Sequence, residues 1–132
     1  MRLKSPSLAL ICLLKLEKAY RQGIDIRLHV GTSLEHLYPQ EGHLLIWEAS
    51  WDLALKMASN GKPLEVRLEE REKGYRLVFT TQPPLMLDAS ELLYLQDLCQ
   101  KNGVDFLAQL EQARLELVFS KNPTERGEED VL

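Results

Sequence analysis

The feature that most constrains the fold is the way helix-like segments alternate with strand-like segments along the chain. Apolar residues recur at helical spacing in three segments, and strand-like patterns bounded by turn residues mark five others. The predicted helices are 5–22, 41–58 and 88–102, and the predicted strands are 24–30, 64–70, 75–80, 104–110 and 113–119. The order α-β-α-β-β-α-β-β favours an α+β two-layer sandwich, with one mixed five-stranded sheet and three helices on one face.

The ends of these segments carry the residues that usually begin and end them. Ser5 is a candidate N-cap with Pro6 in the first turn, and Gly23 ends the first helix, along which Leu10, Leu13, Leu14 and Leu16 recur at helical spacing. The first strand alternates strictly, which places Ile24, Ile26, Leu28 and Val30 on its inward face. Asp88 or Ser90 caps the third helix, and the last two strands pair around a short turn at Glu111-Gln112.

Length and charge restrict the function classes. A chain of 132 residues suits one domain, which we place at 1–120, followed by a flexible charged tail at 121–132. The net charge of −4 gives no electrostatic case for nucleic acid. The apolar run Leu8–Leu14 is too short to span a bilayer and lacks a signal-peptide cleavage site, so we expect a cytoplasmic protein without a membrane partner.

The cysteines and histidines do not form a recognisable reactive site. Cys12 and Cys99 lie on apolar stripes of predicted helices and are expected to be buried, reduced thiols. His29 lies on the outward face of a strand, His36 in a loop, and His43 in the first turn of a helix. None has the exposed helical position next to an acidic residue that a phosphotransfer histidine needs, and their spacing predicts no metal site and no catalytic residue.

The start of the chain, SPSLALICLLKLEKAYRQGIDIRLHV, resembles the ATP-binding domain of citrate- and dicarboxylate-sensing histidine kinases, a GHKL or Bergerat domain. In these kinases a helix with the pattern P-x-L-x-x-L-L-x-x-K-x-x-x-A runs into G-I-x-(I/L). The matching positions here are Pro6, Leu8, Lys15 or Lys18, Ala19, Gly23 and Ile24. The resemblance continues in element order to Phe119 and implies the same α+β fold.

The family's N box lies on the second helix, where an asparagine bridges Mg²⁺ and the nucleotide phosphates. Aligning Asp52-Leu53-Ala54 on the D-N-A form of the motif puts leucine at the ligand position. Aligning Glu48 and Asp52 on the E-x-x-x-N-A form puts aspartate there, and aspartate could hold a metal. The segment therefore resembles a remnant of an N box, with Glu48, Asp52 and Leu53 as its positions.

Two further motifs of the family have no counterpart. The D-x-G-x-G box, whose aspartate binds the adenine amino group, is replaced by Thr80-Thr81-Gln82-Pro83-Pro84. The glycine-rich lid and G-x-G turn, whose backbone N–H groups hold phosphate, are replaced by Leu85-Met86-Leu87 before Asp88. A phosphate cradle needs glycine because a Cβ would block the approach of the ligand.

The resemblance and its gaps favour a non-enzymatic regulatory protein of bacterial two-component signalling. It would be a histidine-kinase-like pseudo-ATPase domain that has lost nucleotide and cofactor binding and acts through a protein partner, such as a histidine kinase or a response regulator. The alternative is a divergent ATP- and Mg²⁺-binding protein of the histidine kinase or anti-sigma kinase type, which would use Glu48 and Asp52. Apolar residues such as Leu53, Leu85 and Met86 would fill the former ATP cleft in the first case.

The tryptophans at 47 and 51 stand one helical turn apart and allow two interpretations. They pack into the core against the sheet, or they anchor a partner-binding surface, as tryptophan often does at interfaces. Self-association through the first helix or an exposed sheet edge, giving a homodimer, is also open at this point.

Overall fold

A computed structural model of the chain describes residues 6–31, 41–58, 61–72, 74–83 and 87–120. The helices are α1 (Pro6–Arg21), α2 (Glu41–Met57) and α3 (Ala89–Lys101); the strands are β1 (Ile26–Val30), β2 (Leu64–Arg71), β3 (Gly74–Thr80), β4 (Asp105–Gln109) and β5 (Arg114–Ser120). All eight predicted elements are confirmed, with boundaries that differ by at most two residues. The predicted cap Ser5, the loop residue His36 and the tail at 121–132 lie outside the described residues.

The strands form one mixed sheet in the order β1-β2-β3-β5-β4. β1 and β2 pair in parallel, because α2 carries the chain back between them, and the other three pairs are antiparallel. A short 3-10 turn at Leu110–Gln112 joins β4 to β5, and Ala113 follows it in the left-handed conformation with φ of 52°. The predicted α+β architecture with a mixed five-stranded sheet is confirmed.

The core lies between one face of the sheet and the three helices. Alternate residues of the three central strands point into it: Leu64, Val66, Leu68, Tyr75, Leu77, Phe79, Leu115, Leu117 and Phe119. α2 is the middle helix, since it contacts both α1 and α3. On the opposite face, Arg76 and Arg114 pair with Glu116, so this face presents charge to solvent.

α1 buries a narrower stripe than its leucine content suggests. Leu8, Cys12 and Ala19 face the core, whereas Leu10, Leu13 and Leu14 are 57%, 55% and 53% exposed. The helical spacing of these leucines is real, but it marks an outer stripe of α1. No helix in the described part of the chain is both long and apolar enough to cross a membrane.

Two burial predictions on the first strand and the cysteines have different outcomes. Val30 lies on the core-facing side of β1, as predicted, since it pairs with the buried Leu68, but it is exposed because β1 is an edge strand. Cys12 and Cys99 are buried free thiols, as predicted, and burial raises the pKa of each to about 12.

The start of α2 packs closely on the end of α3. Gly42 lies so near the Asn102 side chain that a Cβ at 42 would come within 2.0 Å of Asn102 Oδ1. Asn102 is the C-cap of α3, and its Nδ2 donates to the Leu98 carbonyl at 2.8 Å. His43 is buried beside this contact, edge-on to Phe119 with ring centroids 5.7 Å apart.

His43 makes the stability of the fold depend on pH. Burial lowers the pKa of His43 below its ordinary 6.5, and a backbone hydrogen bond with Asn102 opposes this only in part. Below pH 6.5 the unfolded chain binds a proton at this imidazole that the folded chain resists, so stability falls as the pH falls. We expect the free energy of unfolding to drop between pH 7.5 and 5.5, and to drop less in His43→Gln.

The measurement is urea denaturation followed by circular dichroism at both pH values. His29→Gln is the matched control for replacing a histidine outside the core, because His29 is exposed on β1. Equal pH dependence in wild type and His43→Gln would contradict this account.

Candidate functional site

A cluster of charged side chains lies where the outer surface of α2 meets α1. Lys15 Nζ is 2.9 Å from Asp52 Oδ1 and 3.6 Å from Glu48 Oε1. Lys18 Nζ is 3.1 Å from the same Asp52 oxygen. Glu48 and Asp52 share one face of α2 because they are four residues apart, and Lys15 and Lys18 share one face of α1. Asp52 therefore bridges two ammonium groups.

The cluster continues into an open groove of about 320 Å³ between the helices. Its lining residues are Lys18, Ala49, Asp52, Lys56, Glu91 and Tyr94. Lys56 donates a hydrogen bond to Glu91 of α3, and this bond raises the pKa of Lys56 above its ordinary value. The two cations and two anions of the lining balance, so the groove has no excess positive charge for an anion.

Leu53 lies on the buried side of the same helix. It is among the largest fully buried side chains of the protein and belongs to the hydrophobic core. The position aligned with the metal-ligand asparagine is thus an apolar core position, and Asp52 beside it is on the surface. The two alternative alignments of the N box thus differ in burial: one falls on the buried Leu53 and the other on the partly exposed Asp52.

The segment after β3 is held in place by hydrogen bonds to other parts of the protein. Thr81 is buried; its hydroxyl donates to the Pro63 carbonyl at 2.8 Å, and its N–H donates to the Ala113 carbonyl at 3.0 Å. The Pro83 carbonyl accepts a hydrogen bond from Lys62. Leu85 and Met86 lie outside the described residues, so their predicted role in filling the cleft stays a prediction. The segment ends at Asp88, the predicted N-cap of α3, which accepts from Ser90 N–H at 2.9 Å.

The two tryptophans of α2 are in the core. Trp47 and Trp51 are 1% and 0% exposed. Trp51 packs edge-on to Phe79 at 5.4 Å, and Trp47 lies 6.0 Å from Phe119. Both rings therefore belong to the core, which was the first of the two interpretations. Neither ring presents a surface to which a partner could bind.

The remaining candidate residues are dispersed. His29 is exposed, with Nε2 3.4 Å from Glu65 Oε1, and His43 is inside the core. Among the described residues no group of three His, Cys, Asp or Glu side chains could hold a metal ion.

Sequence reasoning missed the pairing of Lys15 and Lys18 with Asp52. The signal was present: two lysines three residues apart on α1 and two carboxylates four residues apart on α2 form opposite charges on polar stripes of neighbouring helices. The packing of His43 against Asn102 and Phe119 had no such signal, because it joins residues far apart in the sequence.

Known proteins resemble this chain in structure but not in sequence. No protein-family model and no curated protein sequence matches it. A nucleotide-free catalytic domain of the histidine kinase ThkA matches with a TM-score of 0.68 at 9% identity, over 93% of this chain and 95% of that one. The mycobacterial sensor histidine kinase MprB matches with a TM-score of 0.60 at 18% identity, over 86% of this chain and 93% of that one.

The chain has the fold of a histidine kinase catalytic domain. ThkA in complex with the response regulator TrrA also matches, with a TM-score of 0.65 and 12% identity, over 94% of this chain and 42% of the ThkA chain. The resemblance inferred from the sequence is thereby confirmed at the level of the fold. At sequence identities this low, the matches establish the histidine-kinase fold alone. The chemistry has to be inferred from the residues described above.

A substitution at Leu53 tests whether position 53 belongs to the hydrophobic core or to a ligand site. Leu53→Asn should destabilise the protein by about 2–4 kcal/mol, because it removes apolar volume and buries an amide without a partner. Leu45→Asn is the matched control on the same helix; Leu45 is exposed, and the change should cost less than about 0.5 kcal/mol. Urea denaturation measures both. A neutral Leu53→Asn would contradict the assignment of position 53 to the core.

Proposed function

We propose that this chain is a pseudo-ATPase domain: a non-enzymatic, cytoplasmic regulatory domain with the histidine-kinase fold that acts by binding a protein partner in bacterial signal transduction. The observation that carries the proposal is the state of the N-box positions. Leu53 is buried in the core, and the Asp52 carboxylate is bound to two lysines.

The Asp52 contacts argue against a magnesium ligand at this position. A metal ion bound there would have to displace two ammonium groups from the same carboxylate oxygen or sit beside their positive charge. Lys15 Nζ also lies 3.6 Å from Glu48, the other carboxylate of the face. The cluster satisfies its own charges, whereas Mg²⁺ sites usually supply uncompensated oxygen ligands.

The adenine and phosphate positions support the same proposal. The segment that replaces the adenine-binding box presents threonine and proline, and the Thr81 hydroxyl and N–H are both bound within the protein. The sequence from 80 to 88 contains no glycine that would let backbone N–H groups approach a phosphate. Losing each of these contacts should cost about 1–3 kcal/mol of binding, which together would weaken a micromolar site to millimolar or beyond.

The partner belongs to the same proposal. A domain that has this fold and does not bind nucleotide can still act in signalling by binding another signalling protein. The structural match to ThkA in complex with TrrA favours a histidine kinase or a response regulator as that partner.

The second candidate is a divergent protein that binds ATP and Mg²⁺ through Glu48 and Asp52. The observation in its favour is that the two carboxylates share a face of α2 and that Asp52 borders an open groove of about 320 Å³. In this case the lysines would release Asp52 when a metal–nucleotide complex enters.

The test is thermal unfolding with and without several millimolar Mg-ATP and Mg-ADP, together with calorimetric titration. The proposal predicts no ligand-dependent shift of the unfolding midpoint. A ligand present at 100 times its dissociation constant would add about 2.7 kcal/mol, a shift of several degrees in a domain of this size.

The variant Asp52→Asn identifies the source of any shift that is seen. A dissociation constant tighter than about 100 μM in the wild type, lost in Asp52→Asn, would refute the pseudo-ATPase proposal and establish the second candidate. Lys101→Gln is the control for non-specific binding of the anion, because Lys101 pairs with Asp97 at the end of α3, outside both the charged cluster and the segment after β3.

A further inference from the structure

The two edges of the sheet differ in how well they are protected. β1 and β4 are the outer strands, and within the described residues no strand pairs with the outer side of either. An unpaired edge exposes backbone N–H and C=O groups that can pair with another chain, and proteins usually protect such edges with charge.

β1 carries that protection. Arg27 and His29 alternate along it, with Asp25 just before it, and Arg27 Nε lies 3.7 Å from Asp25 Oδ2. A second copy of β1 placed antiparallel would set Arg27 against itself, against His29 or against Asp25 of that copy, depending on the register. β1 thus carries the charged side chains with which proteins usually protect an exposed edge.

β4 is less protected, because its one charged residue, Asp105, lies at its start. From Phe106 to Leu110 the sequence FLAQL contains no charge and no proline. Leu107 is 50% exposed on the face of the sheet away from the helices, and Leu110, just past the end of the strand, is 41% exposed. An exposed apolar edge of this kind predicts pairing with a further strand.

We propose that β4 is the dimer interface of this protein: two copies pair their β4 strands antiparallel across a two-fold axis at Leu107, which makes one continuous sheet of both copies. An antiparallel pair of identical edges needs a two-fold axis perpendicular to the sheet, so that the helices of both copies stay on the same face. In an antiparallel pair, residues that lie opposite each other point to the same face of the sheet. The two-fold axis must therefore lie level with one residue, which then faces its own copy, and not between two successive residues.

Charge and size select Leu107 among the possible axis residues. With the axis at Leu107, Asp105 faces Gln109 of the partner subunit, and Phe106 faces the partner subunit's Ala108. A carboxylate then meets an amide that can donate to it, and a large ring meets a small side chain. With the axis at Phe106, Asp105 would face a leucine; with the axis at Ala108, Asp105 would have no strand partner, because β4 ends at Gln109 and a 3-10 turn follows.

A groove beside β4 fits the same register. It has a volume of about 520 Å³ and is lined by Gln96, Cys99, Gln100, Gly103, Val104, Asp105 and Phe106. With Gln109 of the partner subunit facing Asp105, which lines the groove, the partner subunit's Leu110 at the start of the 3-10 turn comes next to this groove. The exposed leucine and the open groove of one copy are thus complementary to those of the other.

The interface is small, so the dimer should be of moderate affinity. Five paired residues on each copy and a leucine in a groove fall at the lower end of specific interfaces, which corresponds to a dissociation constant of about 1–100 μM. The dimer does not depend on the proposed loss of nucleotide binding, since β4 lies apart from Glu48 and Asp52.

The first experiment is sedimentation equilibrium of the chain from 1 to 300 μM, with Leu107→Lys and Leu13→Lys compared under the same conditions. Leu107→Lys places two ammonium groups at the two-fold axis and should weaken dimerisation at least about tenfold. Leu13→Lys is the matched control on the exposed stripe of α1 and should leave dimerisation unchanged. Circular dichroism verifies that each variant is folded.

The second experiment tests the register with single cysteines that disturb the edge less. Leu107→Cys places two thiols opposite each other at the axis, within the Cα separation that a disulfide can span. Asp105→Cys lies on the same face of the strand, but its two copies would be about 14 Å apart. The native Cys12 and Cys99 are buried and should not compete. Oxidation followed by non-reducing electrophoresis should therefore cross-link Leu107→Cys and not Asp105→Cys.

A wild-type chain that stays monomeric up to 300 μM would overturn the proposal. So would loss of the dimer in Leu13→Lys with retention in Leu107→Lys, which would place the interface on α1. Cross-linking of Asp105→Cys in preference to Leu107→Cys would overturn the register.

Discussion

The contact on which the rest of the structure depends is the packing of α2 against the central strands. Trp47 and Trp51, one turn apart, lie against Phe119 and Phe79, which come from two neighbouring strands. Large aromatic side chains contribute much of the stabilisation of a core because each buries a large apolar area. This contact fixes the rotation of α2 about its axis, and the rotation decides which residues of the helix face the core and which face solvent.

That rotation determines the character of the candidate site. With the tryptophans inside, Leu53 is also inside, and Glu48 and Asp52 are placed on the outer surface beside the lysines of α1. A metal ion on this face of the helix would have to compete with the existing partners of its polar residues. Here Asp52 binds Lys15 and Lys18, and Lys56 binds Glu91. The fold thus buries the apolar residue at position 53, and under the proposed pseudo-ATPase role a kinase-like fold is kept without kinase chemistry.

Much of the fold follows from the sequence, because local patterns determine the elements. Strict alternation marked β1, and Asp88 capped α3 as its position predicted. The pattern could not distinguish core leucines from surface leucines on α1: Leu10 and Leu14 recur at helical spacing, yet the buried stripe passes through Leu8, Cys12 and Ala19. Nor could it give the strand order, which depends on pairing between distant segments. For the site, the types of residue were visible in the sequence, but the pairing of Asp52 with α1 required the packing of the helices.

The proposed loss of nucleotide binding is tested most directly by titrating the ¹⁵N-labelled chain with Mg-ATP to 10 mM. The titration is followed by NMR and compared with a titration of Mg²⁺ alone. The backbone amide resonances of Glu48, Asp52 and Leu53 should not shift in a saturable way, because the carboxylates stay bound to lysine and Leu53 stays in the core. Saturable shifts centred on α2 and on the residues after β3, absent with Mg²⁺ alone, would show that the nucleotide site is still present and would contradict the account.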